Sequence, residues 1–322
     1  MNSEIANIFW HGDLSTFEIV CIKSFVQNGF HVKLWSYNGL SVEGAESCDA
    51  RLVLSENHLT KYKQKHFAVQ DESKETYSTL SAFSDAFRWN VINKFGGWWF
   101  DADCYCLKSS IEFERLRHNK SFISGLQNCE YPSVACGAFY ADKHVSNKLV
   151  NKLNELCKLH NFAFDGWGVI GPLLISNVVQ DENLYDGLLS AESFYSIESS
   201  MTNYYIDPEL KDQAKAYISD SYITHIWHSW INYFDIDKEN PPNDSLLKEF
   251  FNNTYTNVST IDKDASLRYD TSLKKYVTIS KLYKKILNRN GTVHEIASHV
   301  RSNLELKQIL FQLNLIKNNE IN

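Results

Sequence analysis

Residues 84–103 read SDAFRWNVINKFGGWWFDAD. A helix carrying Asp85 and Arg88 runs into a Gly96-Gly97 break, which ends it. An apolar burst, Trp98-Trp99-Phe100, follows, and then Asp101-Ala102-Asp103. Two carboxylates one residue apart at the end of a strand project to the same side. The apolar residues before them bury the strand and leave the acids at its exposed tip. Such a pair is a hard, oxygen-only claw for Mn²⁺ or Mg²⁺, cations that keep waters and substrate phosphate oxygens in their remaining positions.

Outward from this block the pattern predicts strand 5–10, helix 14–28, strand 31–36, a short strand 51–54 and a polar helical or loop region 57–78. Helix 80–95 and strand 97–101 follow, then strands 121–126 and 133–141. Helix 144–159 has Val145, Leu149, Leu153 and Leu156 at helical spacing. FDGWGVIGP (164–172) reads as a loop, with a helix after Pro172, and YITHIW (222–227) as a late strand. Alternating strands and helices in the first hundred residues imply an α/β fold with a parallel sheet. The acids then sit at carboxyl ends of strands, where such sheets bind ligands. ENPPNDS (239–245) is the best boundary, because paired prolines and small polar residues end regular structure. It divides a domain 1–240 from a helical, basic C-terminal extension, 241–322.

The chain has 322 residues, enough for a large core. No run of 18 apolar residues exists to span a membrane, and MNSEIANIFW lacks the features of a secretory signal. The 7 cysteines form no framework and read as free thiols of a reducing compartment; Cys104 and Cys106 have no second pair at zinc spacing. A cytoplasmic protein is expected. Residues 241–322 carry 12 Lys/Arg against 8 Asp/Glu, whereas the first 240 carry 20 against 31. That acidic balance argues against nucleic acid as a partner. All 8 tryptophans lie at or before residue 230, as suits a core and a cleft whose flat faces pack on sugars and bases.

Ser84-Asp85, Arg88, Phe95-Gly96-Gly97 and Asp101/Asp103 together resemble the sugar-binding region of the family 32 glycosyltransferases. That family includes fungal initiating mannosyltransferases, animal α-1,4-glycosyltransferases and bacterial polysaccharide enzymes. More distantly the block resembles the catalytic domain of the large glucosylating toxins. IANIFWHGDL resembles the family's opening strand, HIWHSW (225–230) its late His-x-Trp-x-x-Ser-Trp, and Gly171-Pro172 its Gly-Pro step. The resemblance covers roughly residues 5–232. It implies a GT-A fold, the Rossmann-like nucleotide-diphospho-sugar transferase architecture, and a DXD motif that holds Mn²⁺ or Mg²⁺ and the diphosphate of a UDP-sugar.

The same resemblance implies roles. Asp103 binds the metal, while Asp101 also reaches the ribose or a coordinated water. Asp85 and Arg88, on spacing alone a surface ion pair, are implied to hydrogen-bond donor sugar hydroxyls. His225 is the implied third metal ligand or phosphate donor, with His228 its competitor. Trp10 is a base platform or plain core; Trp230 packs, although the family Trp lies near the diphosphate. Trp98 and Trp99 are assigned to core, not site. Asp165 is a candidate acceptor contact or a solvated loop residue.

Residues 274–289 contain six Lys/Arg and no acid, with Tyr276, Ile279, Tyr283, Ile286 and Leu287 at helical spacing. Either that stripe packs on the catalytic domain, or the helix lies on anionic lipid as a peripheral membrane contact. A further helical pattern covers 294–316. The implied activity is retaining, metal-dependent transfer of a hexose or N-acetylhexosamine from UDP-sugar to a saccharide acceptor, a lipid-linked O-antigen or capsule intermediate. Alternatives are an effector that glycosylates a host protein, a non-catalytic binding protein, and an Asp-x-Asp phosphohydrolase of the haloacid dehalogenase type. That last fold expects its motif near the chain start and a Thr or Val where Tyr105 stands.

Overall fold

The computed structural model describes residues 3–64, 77–128, 132–233, 235–255, 263–302 and 304–321. The chain opens with β1 (Ile5–Phe9), α1 (Thr16–Gln27), β2 (His31–Ser36) and β3 (Glu46–Asp49), followed by two-residue strands β4 (Lys63–Gln64) and β5 (Tyr77–Ser78). Then come α2 (Leu80–Phe95), β6 (Trp98–Phe100), β7 (Cys104–Cys106), α3 (Ser110–Arg117), β8 (Phe122–Leu126), β9 (Val134–Ala141) and α4 (Lys143–Leu159). β10 (Ala163–Phe164), α5 (Pro172–Asp181), β11 (Leu188–Leu189) and three short helices, α6 (Ala191–Phe194), α7 (Asn203–Ile206) and α8 (Lys211–Ile218), lead to β12 (Ile223–His225). The elements that follow among the described residues are helices: α9 (His228–Tyr233), α10 (Leu246–Phe251), α11 (Lys263–Leu287), α12 (Val293–Arg301) and α13 (Leu306–Ile321).

Seven strands form the main sheet in the order β11-β8-β9-β6-β1-β2-β3. β1 pairs parallel with both β2 and β6, and β2 parallel with β3, so the α/β fold with a parallel-rich sheet is as expected. β9 inserts antiparallel between β6 and β8. Alternation along β6 sends Trp98 and Phe100 to one buried layer and Trp99 to the other. The double glycine that precedes β6 has a physical cause. Gly96 ends α2 at φ 68°, and at Gly97 (φ 85°) a Cβ would lie 2.8 Å from the Ile5 carbonyl of β1. Buried Asn7 staples the junction by donating to the Gly96 and Trp98 carbonyls at 2.9 and 3.1 Å.

Three expectations need correction. Residues 51–54 are not a strand: Asp49 accepts from the Arg51 N–H at 2.9 Å and starts a 3-10 turn, which leaves Leu52 56% exposed. The true edge strand is the polar β3. The helical pattern 294–316 is two helices, because Ser302 turns to extended backbone (ψ 144°) at the end of α12. The stripe on 274–289 is not presented to lipid: Tyr276, Ile279 and Tyr283 are buried in the same apolar cluster as Trp89, Val145 and Leu174. Its aromatic and aliphatic groups gain on the order of 2 kcal/mol each from that burial. Of the region 57–78, residues 65–76 lie outside the described residues; Glu56–Thr60 is a 3-10 helix. No helix among the described residues is long and apolar enough to cross a membrane.

Candidate active site

β6 delivers Asp101 to the carboxyl end of the parallel strands, and the Asp101 N–H donates to the Gly137 carbonyl on β9 at 2.7 Å. The chain turns there, with Cys104 N–H donating to the Asp101 carbonyl at 3.0 Å, and returns as β7. β7 pairs antiparallel with β12, setting His225 opposite Cys104. His225 Nε2 consequently lies 3.4 Å from Asp103 Oδ1 and 3.7 Å from Asp101 Oδ2. After β12 the backbone reverses at Trp227, which holds φ 62°, a left-handed conformation costly for a bulky residue. That reversal lets the His228 N–H donate to Asp103 Oδ2 at 2.8 Å.

The two histidines therefore face different partners. His225 meets the acids, while His228 Nε2 is 3.2 Å from buried Glu18 and 3.0 Å from Lys238 Nζ. Burial by itself disfavours the His225 imidazolium, but Asp103 and Asp101 outweigh it and its pKa is raised. Burial likewise pushes Asp101 upward, and Arg88 with His225 reverses this to leave it lowered.

Arg88 is no surface residue. Its guanidinium lies 3.3 Å from Asp85 Oδ1 and 3.2 Å from Asp101 Oδ1, donates to the Cys136 carbonyl at 2.6 Å, and sits over the Trp99 ring. Asp85, buried beside it, is pushed up to about 6 by burial against the pull of Arg88, with Asp101 adding repulsion. Gly171 presses on this carboxyl: a Cβ there would lie 2.4 Å from Asp85 Oδ2. The Gly171-Pro172 step thus touches the site.

The sequence reading missed four contributors. Trp99 donates its indole N–H to Asp101 Oδ1 at 2.8 Å, so it belongs to the site as well as the core. Gly137 leaves room that a Cβ would fill, 2.9 Å from Asp101 Oδ2 and 3.0 Å from His225 Nε2. Trp227 and Tyr195 flank the His225 ring at 4.2 and 5.6 Å. Trp227 stands inside the HIWHSW motif, but no role was read from it. Of the remaining candidates, Trp10 is half-buried at the rim, its ring edge-on to His228 at 5.5 Å. Trp230 stands 37% exposed. Asp165 is exposed on the loop that ends at Gly171.

Among the described residues, Asp103, Cys104 and His225 bring donor atoms within 4.8 Å of one another. Asp101 reaches this group through His225, at 3.7 Å, so two carboxylates and an imidazole nitrogen are compatible with a hard divalent cation. Cys104 suits such a cation least, because burial raises its thiol well above the usual range and a protonated thiol is a poor ligand. His225 Nδ1 is buried with no hydrogen-bond partner.

The family model described as "Capsular polysaccharide synthesis protein" matches residues 44–161, a span that contains α2, the double glycine, both aspartates and Gly137. Among curated proteins none matches the chain. Among solved structures it is similar to the apo-form glycosyltransferase GlyE of Streptococcus pneumoniae TIGR4, with 14% identity and a TM-score of 0.38. That match covers 80% of this chain and 66% of the other, a little under two thirds of its length.

Proposed function

We propose that this chain is a retaining, metal-dependent glycosyltransferase of GT-A type that moves a hexose or N-acetylhexosamine from a UDP-sugar to a saccharide acceptor. The observation that carries the reading is the convergence of Asp101, Asp103 and His225 at the carboxyl end of the central strands. The capsular polysaccharide family match over residues 44–161 supports the same class, as does the family 32 resemblance of residues 84–103. A lipid-linked capsule or O-antigen intermediate on the cytoplasmic side is the acceptor proposed.

Asp101, Asp103 and His225 would hold Mn²⁺ or Mg²⁺, which when bound supplies neutralisation of the departing diphosphate. The chain's own groups do the positioning. Arg88 and Trp99 both engage Asp101 Oδ1, which leaves Oδ2 directed towards His225. The His228 N–H restrains Asp103 Oδ2 and leaves Oδ1 facing the same imidazole. Asp85, held by Arg88 against Gly171, offers a carboxyl to donor sugar hydroxyls. Trp10 supplies a flat face for the base, Trp230 an exposed ring near the diphosphate and Asp165 an acceptor contact. Rate enhancement then comes mainly from orientation and from stabilising charge on the leaving group.

A panel of nucleotide sugars, screened for thermal stabilisation with and without Mn²⁺, tests this. A ligand that binds the native state raises its melting temperature by mass action. One UDP-sugar should stand out, only with the cation, and Asp103→Asn should abolish the shift. A panel without any stabilising nucleotide sugar would remove the basis of the proposal.

A further inference from the structure

α13 packs Ile309 and Leu313 inward, at 2% and 0% exposure. Its opposite face carries Lys307, Phe311 and Leu315, which at i, i+4 and i+8 form one ridge. Phe311 is 65% exposed and Leu315 46%, with Leu306 at 48% at the start of the helix. Exposed Gln308, Gln312 and Asn314 flank the ridge, and residues 306–317 contain no acid. α11, on which α13 packs, turns Lys281, Lys284 and Lys285 outward; Lys284 shares its charge with Asp181 at 3.4 Å. Exposed aromatic and aliphatic groups in line with an exposed lysine, on a helix face without acids, are the composition of a helix that lies in a membrane interface.

We infer that the outward face of α13 docks on an anionic lipid bilayer, with Phe311 and Leu315 entering the headgroup layer and Lys307 meeting lipid phosphates. The charge distribution favours this occupant. Residues 241–322 are net basic and the first 240 net acidic, so an anionic surface attracts this end of the molecule and repels the other. A second copy packed parallel along the ridge would set Lys307 beside its own equivalent, and an antiparallel one would set that lysine against Leu315, so neither offers it an anionic partner. The apolar stripe of α11 contributes nothing, being consumed in the core. This inference is independent of the donor chemistry proposed above.

Co-sedimentation of the full chain with vesicles of phosphatidylcholine, with and without phosphatidylglycerol, tests it. Binding is expected only with the anionic lipid and should weaken with salt. Phe311→Ser/Leu315→Ser should lower the partition constant on the order of tenfold or more, and Lys307→Gln about fivefold. Circular dichroism melts verify that these exposed-site variants fold. Absence of binding, or binding that the double variant leaves unchanged, overturns the inference. So does a dimer in sedimentation equilibrium that Phe311→Ser dissociates, since the face would then be a contact between copies.

Discussion

Trp99 and Asp101, two residues apart on either side of the end of β6, are joined by a hydrogen bond from indole Nε1–H to Oδ1 at 2.8 Å. Arg88 Nη2 approaches the same oxygen at 3.2 Å. One carboxylate oxygen is therefore claimed by the protein interior, and the other is left towards the cleft. The tryptophan in a buried strand works as an orienting group as well as a core residue.

Trp99→Phe keeps a ring and deletes the donor. A hydrogen bond to a charged group contributes about 1.5–3 kcal/mol, so Mn²⁺ affinity by calorimetry should fall about tenfold or more. The smaller ring also costs about 1–3 kcal/mol of stability through lost packing, read separately in a thermal melt. Unchanged Mn²⁺ affinity would mean that Arg88 alone orients Asp101.

Gly137→Ala places a methyl 2.9 Å from Asp101 Oδ2 and 3.0 Å from His225 Nε2. Displacing a positioned group by about 1 Å can cost about a hundredfold in rate. The variant should fold and retain helical circular dichroism while transferase turnover drops by about that factor. Gly171→Ala, with its methyl 2.4 Å from Asp85 Oδ2, should act instead on the KM for donor.

Arg88→Met strips the charge partner from two acids, one of them buried. Breaking such a pair costs about 3–5 kcal/mol, and the melting temperature should fall accordingly. Adding Asp85→Asn should restore part of the loss, because neighbours sharing one network are not additive. Full additivity in the double variant would show that Asp85 and Arg88 act separately.

Glu18 predicts an acid-side stability limit. Burial would raise its pKa, but hydrogen bonds from His228 and Ser15 and the charge of Lys238 overcome this and lower it from 4.5 to about 2. A depressed carboxyl stabilises the fold above its unfolded value and loses that contribution as pH falls from 4.5 through 2. The shift corresponds to about 3 kcal/mol. Urea melts of wild type and Glu18→Gln should differ by that order at pH 6 and converge towards pH 2. Parallel curves would show that Glu18 is not coupled to folding.

Much of the site was legible because residues 84–103 compress helix, break, strand and acids into twenty positions. The pairing of His225 with those acids followed only through the resemblance, since 121 residues lie between it and Asp103. Gly137 and Tyr195 carried no signal, because their meaning arises when β9 inserts antiparallel beside β6. Arg88 read as a surface ion pair for a related reason, as burial beneath Cys136 is decided by the sheet and not by helical spacing. The misread strand 51–54 and the true one at 46–49 show the converse. An apolar run, Leu52-Val53-Leu54, was diverted by one Asp49 side chain, while a sheet edge with exposed residues tolerates Glu46, Ser47 and Asp49.

Tyr276, Ile279 and Tyr283 share one cluster with Trp89 and Leu174, and Phe250 stacks on Tyr105 with ring centroids 3.9 Å apart. A polypeptide severed at residue 240 would bare an oily flank on the layer beneath α2. Anyone grafting this C-terminal quarter onto a similar chain must therefore carry the matching half of that seam along with it.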